Sequence, residues 1–166
     1  MAMIDGLLQE LEQEAETTRR VLERVPADQL SWRPHEKSRT LGELALHVAQ
    51  VPGGVAMLVA SPSPAQAPDF VDPSPKSAAE LVPTLDWAIA KAKEVLGGLT
   101  DAALTAPWTL KSGDRELFTL PRVAMLRSVM LNHWYHHRGQ LTVYLRELNV
   151  PVPPIYGPSA DENPFA

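Results

Sequence analysis

Three of the chain's five histidines lie within five residues, in the block Asn132-His133-Trp134-Tyr135-His136-His137-Arg138-Gly139-Gln140-Leu141. Residues four apart stand one turn apart on a helix, so His133 and His137 can offer two imidazoles to one divalent ion. A third ligand has to come from another element, and His47 is the donor the pattern favours. Counting about 100° per residue from His133, Leu126, Met130, Leu141, Tyr144 and Leu148 fall between about 20° and 80°, and His137 falls at about 40°. Both histidines therefore share the apolar stripe. His136, at about -60°, is left at the rim, and Arg138, at about 140°, is expected to face away from the core.

Neutral imidazoles in an apolar interior each carry a nitrogen that costs about 1–3 kcal/mol if unpaired, and a shared metal ion satisfies them together. The alternative is a set of ordinary core-edge histidines bonded to carbonyls or water. A three-histidine site leaves a position open to a thiolate, or to water whose pKa a zinc-like ion lowers to about 7. Trp134 stands where HExxH proteases need glutamate, so that reading fails at its general base. Glu43, one turn before His47, and Gln140, at about -20°, are the candidate catalytic helpers. For Glu43 the structural competitor is a helix cap; Gln140 would help as a hydrogen-bond partner behind His137, and its competitor is helix-interface packing. Asp161 and Glu162 reach the site only if the tail folds over it. His35, in a proline-flanked loop, has no geometric argument for ligation. Trp32, Trp134 and Tyr156 read first as core aromatics.

The elements that must position these groups are legible in outline. Ile4, Leu7, Leu8, Leu11, Ala15, Thr18, Leu22 and Val25 recur at helical spacing, and Pro26 ends that helix. Thr40 and Glu43 form a capping-box pattern opening a second helix, with Leu44, His47, Val48 and Val51 on its face. Pro52-Gly53-Gly54 should kink it. Five prolines between Ser61 and Pro75 predict an extended crossover. Ser77 and Glu80 suggest another capping box, opening a helix to about Leu96 that Pro83 bends. Trp108-Thr109-Leu110 and Leu117-Phe118-Thr119-Leu120 flank a turn-rich Lys111–Arg115, predicting a short β-hairpin or a loop imitating one. The last helix should begin near Pro121 and run to about Leu148. The tail from Val150 to Ala166 is too proline-rich for regular structure and too apolar for disorder, so it should lie along the bundle or a partner subunit.

The 166 residues, with 45% hydrophobic and 21% charged side chains, fit one globular domain, residues 1–166. The absence of cysteine removes disulfides and thiolate ligands and leaves imidazole and carboxylate. A net charge of -5 without a basic cluster argues against nucleic acid. No apolar run is expected to approach the roughly 18 to 20 residues of a bilayer span and the first residues lack a signal pattern, so a cytoplasmic protein without membrane contact is expected.

Three blocks resemble those of the DinB/YfiT-like metalloenzymes, in order and spacing. They are Ser38-Arg39-Thr40-Leu41-Gly42-Glu43-Leu44-Ala45-Leu46-His47-Val48-Ala49, the histidine block continuing to Tyr144-Leu145-Arg146, and Ile155-Tyr156-Gly157-Pro158-Ser159-Ala160-Asp161-Glu162. The resemblance implies an all-α four-helix bundle with a long crossover after the second helix, often dimeric. It implies zinc or nickel held by one histidine of the second helix and an HxxxH pair of the last, here His47, His133 and His137. It also implies thiol-dependent transferase or isomerase chemistry with low-molecular-weight thiols. The expectation is thus a metal that activates a thiolate or water for attack on a small electrophile. The alternatives are a metal-dependent hydrolase and a non-catalytic metal-binding or dimerisation protein of the stress response.

Overall fold

The computed structural model describes residues 2–69 and 71–165; Met1, Phe70 and Ala166, at the start, in the crossover and at the end of the tail, lie outside the described residues. Helix α1 (Met3–Leu22) buries Ile4, Leu7, Leu11, Ala15, Thr18, Val21 and Leu22, close to the predicted stripe. Helix α2 (Leu41–Ala60) opens on the expected capping box: the Glu43 N–H donates to Thr40 Oγ1 at 3.2 Å, and the Thr40 N–H donates to Glu43 Oε2 at 2.7 Å. It is the central helix, packed on α3 (Leu81–Leu96) and on the last helical run. Contrary to expectation, α2 is long and apolar enough to cross a membrane by length and composition, with a mean hydropathy of 1.4 over its most apolar window. In the bundle that apolarity is used for packing, since Leu44, Ala45, Val48, Ala49, Ala56 and Val59 are all buried. A Cβ added at Gly53 would lie 2.8 Å from Ala88 Cα, so the close α2–α3 approach requires glycine there.

The start of α3 differs from its sequence reading. Ser77 makes no side-chain cap; Ala78–Glu80 form a 3-10 turn, and the Glu80 carboxylate accepts from the Lys76 N–H at 3.1 Å. With the helix opening at Leu81, Pro83 sits in the first turn, where no intrahelical N–H is needed, and nothing forces a bend.

The crossover leaves α2 and adds a strand, β1 (Ala65–Gln66), that the sequence pattern does not announce. After the short α4 (Asp101–Thr105), β2 (Pro107–Ser112) and β3 (Arg115–Pro121) form the predicted hairpin, with Gly113 at φ 59 in its turn. β1 pairs parallel to β2, matching Ala65 with Leu110. Trp108 Nε1 and Arg122 Nη2 both donate to the Ser61 carbonyl at 3.2 Å, tying the hairpin and the next helix to the C-terminus of α2.

The last helical run comprises α5 (Arg122–Met125), a π-helical segment (Leu126–Asn132) and α6 (His133–Glu147). It ends in a Schellman motif. Asn149 adopts φ 58, the Val150 N–H donates to the Leu145 carbonyl at 2.9 Å, and the Asn149 N–H donates to that of Arg146 at 3.0 Å. The tail then lies along the bundle: Val152, Pro153 and Pro154 are buried, Asp161 pairs with Arg146, and Glu162 pairs with Arg24 at 2.7 Å.

Candidate metal centre

The central helix and the last one bring three imidazoles to one point. His47 Nε2 lies 3.4 Å from His133 Nε2. Ring centroids are 5.2 Å apart for His47 and His133, 4.6 Å for His47 and His137, and 4.5 Å for His133 and His137. One nitrogen from each of the three lies within 4.8 Å of the others, a group that could hold a metal ion. Two nitrogens each about 2.0–2.1 Å from a tetrahedral zinc stand about 3.3–3.4 Å apart, so the His47–His133 pair already has the spacing of two ligands.

The backbone and a side chain fix which nitrogen His133 and His137 present. The His133 amide donates to the Ser128 carbonyl, in the π register, and to that of Met130, passing over Val129. The Val129 carbonyl is left to the side chain, and His133 Nδ1 lies 3.2 Å from it. A carbonyl only accepts, so Nδ1 carries the proton and Nε2 presents its lone pair to the centre. His137 repeats the arrangement with Gln140, whose Oε1 lies 2.7 Å from His137 Nδ1. A proton on His47 Nε2 could satisfy one of the two facing lone pairs, never both. A divalent ion satisfies all three rings at once, so the residues present fit a metal.

Pro52 contributes as well. Lacking an N–H, it leaves the Val48 carbonyl without its helical donor, and Trp134 Nε1 supplies one at 2.8 Å. This bond joins α6 to α2 one residue from both His47 and His133. Helix α2 runs through Pro52 without a break.

Burial, the leading cause, holds His47 and His137 down to about 4 and lowers His133 as well. The positive charge of Arg39 adds to the lowering at all three rings. The rings are neutral near pH 7, the protonation state that metal ligation requires.

The other candidates fall as follows. Glu43 spends one carboxylate oxygen on the capping box, with Ser74 Oγ 3.5 Å from the other. Gln140 supports His137. His136 is exposed at the rim, and His35 is exposed in its loop. Asp161 and Glu162 are engaged by arginines along the tail rather than at the imidazoles. Trp134 is fully buried, while Trp32 packs edge-on against Tyr144 with ring centroids 5.5 Å apart. Tyr156 is not core: it is 72% exposed.

Arg138 corrects the helical-wheel reading. It is 1% exposed, with Nη2 2.6 Å from Glu14 Oε2 and donating to Tyr156 Oη at 2.6 Å. Its angle placed it outside the apolar stripe, but α1 and the tail cover that flank of α6, and the guanidinium is buried with its partners supplied.

The fold and the site thus define a helical bundle whose second and last long helices set three histidines around one point, a group that could hold a metal ion, with the Nδ1 atoms of His133 and His137 oriented by hydrogen bonds. The chain belongs to the DinB family, whose model matches residues 2–164, and the resemblance seen in the sequence is borne out. The uncharacterized protein YrdA of Bacillus subtilis (strain 168) is 27% identical over 163 residues, covering 96% of this chain and 91% of that protein. A DinB-like protein from Bacillus cereus ATCC 10987 is similar in structure, with a TM-score of 0.71, 28% identity, and coverage of 92% of this chain and 97% of the other. The DinB-like protein YjoA of Bacillus subtilis shares the fold, with a TM-score of 0.68, 22% identity, and coverage of 91% and 97%.

Proposed function

We propose that the protein is a metal-dependent enzyme in which His47, His133 and His137 hold a divalent ion, zinc or nickel, and present it to a small-molecule thiol and a small electrophile. The observation that carries this reading is the convergence of three neutral imidazoles with no carboxylate or backbone group among the described residues to satisfy their facing nitrogens. When bound, such an ion lowers the pKa of a coordinated thiol or water enough to make a nucleophile near neutral pH. The chain's own residues do the remaining work. Val129 and Gln140 orient the rings, and Trp134 locks the two helices in register.

The thiolate reading is favoured over hydrolysis because the two helpers nominated from the sequence are occupied: Glu43 in its cap and Gln140 on His137. A thiolate needs no protein base once formed, whereas hydrolysis ordinarily uses one. We also propose that the protein works in the cytoplasm, as a homodimer.

The test has two stages. Metal analysis of the purified protein should find a stoichiometric divalent ion. A chlorinated aromatic electrophile should then be consumed only when a low-molecular-weight thiol is added. Consumption of an ester or amide without thiol would favour the hydrolase, and inertness under every metal loading would favour a binding or dimerisation protein.

A further inference from the structure

Beside His137 opens a cleft of about 330 Å³, lined among others by Lys37, Arg39, Asp72, Gln140 and Tyr144. Its size lies at the small end of the roughly 300–1,000 Å³ typical of ligand pockets. In a protein of net charge -5, the charged residues of this cleft are two cations against one carboxylate. A divalent ion on the three imidazoles makes the cleft more positive still.

Arg39 is the cation held most firmly. Its backbone carbonyl accepts from Tyr144 Oη at 3.3 Å, the next residue is the cap of α2, and its side chain is 32% exposed. Its contact with Asp72 is incomplete. Nε lies 2.8 Å from Asp72 Oδ1, yet the two are not aligned for a hydrogen bond, and the buried Nε–H has no acceptor among the described residues. Among the described residues, the two terminal amino groups of the guanidinium make no hydrogen bond. A planar guanidinium with spare donors, fixed at the mouth of a small cleft, suits a carboxylate in two-pronged geometry.

Building on the metal-centre reading above, we propose that Arg39 determines specificity in this cleft, and that the ligand is a small molecule carrying a carboxylate next to the group that meets the metal. Lys37 adds a mobile positive charge at the exposed edge. Asp72 balances the guanidinium until the ligand's carboxylate joins it. The role of Arg39 is positioning: it orients the ligand and touches no reacting atom.

Cobalt-substituted protein gives a readout independent of turnover, because a thiolate that ligates cobalt produces a charge-transfer absorption band. Wild type, Arg39→Ala and Arg39→Lys are titrated with 3-mercaptopropionate and with 2-mercaptoethanol, a near match that has a hydroxyl in place of the carboxylate. Wild type should prefer the charged thiol. Arg39→Ala should weaken 3-mercaptopropionate about 10- to 100-fold and change 2-mercaptoethanol by less than about twofold. Arg39→Lys should restore part of the loss. Circular dichroism and unchanged cobalt stoichiometry establish that each variant is folded. Equal weakening of both thiols, or no preference in the wild type while cobalt is bound stoichiometrically, would overturn the Arg39 assignment and leave the metal centre standing. Failure of wild type to bind cobalt would overturn the metal centre and this assignment with it.

Discussion

Two polar clusters flank α6, built from neighbouring residues and resolved in opposite ways. On one side Arg138 is sealed between α1 and the tail with its donors supplied: Nη1 reaches the Glu14 carbonyl and Thr18 Oγ1, each at 3.2 Å, and Nη2 reaches Glu14 Oε2 and Tyr156 Oη. The Tyr135 and Tyr156 rings lie within 5.3 Å and 5.2 Å of the guanidinium. On the other side three imidazoles are gathered with no carboxylate among the described residues bonded to them, and the Nε2 atoms of His47 and His133 lie 3.4 Å apart. A buried polar group that folding has satisfied serves structure. A set left wanting a cation is arranged for something that arrives later.

The most severe way to break this contrast is to remove one partner of the satisfied cluster. Arg138→Leu leaves Glu14 facing Tyr156 without its cation and should lower stability by about 3–5 kcal/mol, read as a drop in the denaturant midpoint, with metal content unchanged in the folded fraction. The histidines should behave inversely. His47→Leu should leave the metal-free protein as stable as wild type or more so, because it removes an uncompensated buried polar group, while metal affinity falls by more than about 100-fold in a chelator competition. A variant that lost metal-free stability and kept its metal would erase the distinction between the clusters.

Gln140→Leu removes the acceptor that sets the His137 tautomer. Metal affinity should fall about 10- to 100-fold with the melting temperature of the metal-free protein unchanged. The smallest effect is one of pH. His47 and His137 have folded values near 4 against an ordinary 6.5, so below about pH 6.5 the unfolded chain takes up protons that the folded chain refuses. Their contribution to metal-free stability is complete above about pH 6.5, declines as pH falls toward 4, and levels off below. The difference between wild type and a His47→Leu/His137→Leu double variant, measured by denaturant unfolding across that range, isolates it from the carboxylates.

Much of this was legible in the sequence, and the exceptions share a cause. Helical periodicity found α1, the inward face of α3 and the apolar stripe of α6, because those patterns depend on each helix alone. The same 100° arithmetic put His136 and Arg138 at equal distances from the stripe, on opposite flanks. Only tertiary context separates them: α1 and the tail cover Arg138, and nothing described covers His136. The β1 strand exists because β2 offers it an edge. The π register that frees the Val129 carbonyl has no composition signature, nor does the rescue of the Pro52-vacated carbonyl by Trp134. At Ser77 a local signature was present and unused, since the preceding turn took the Glu80 carboxylate first. The three histidines themselves were found by spacing and by the family resemblance, and the fold brings them together.

The central claim is that His47, His133 and His137 hold a divalent ion. Its most direct test is metal analysis of purified wild type and His133→Ala, with X-ray absorption on the wild-type protein to count nitrogen ligands. The account predicts about one ion per chain with three imidazole nitrogens in wild type, and loss of that ion from a folded His133→Ala protein. A wild type without stoichiometric metal after incubation with zinc or nickel, or a His133→Ala variant that keeps its full complement, would contradict it.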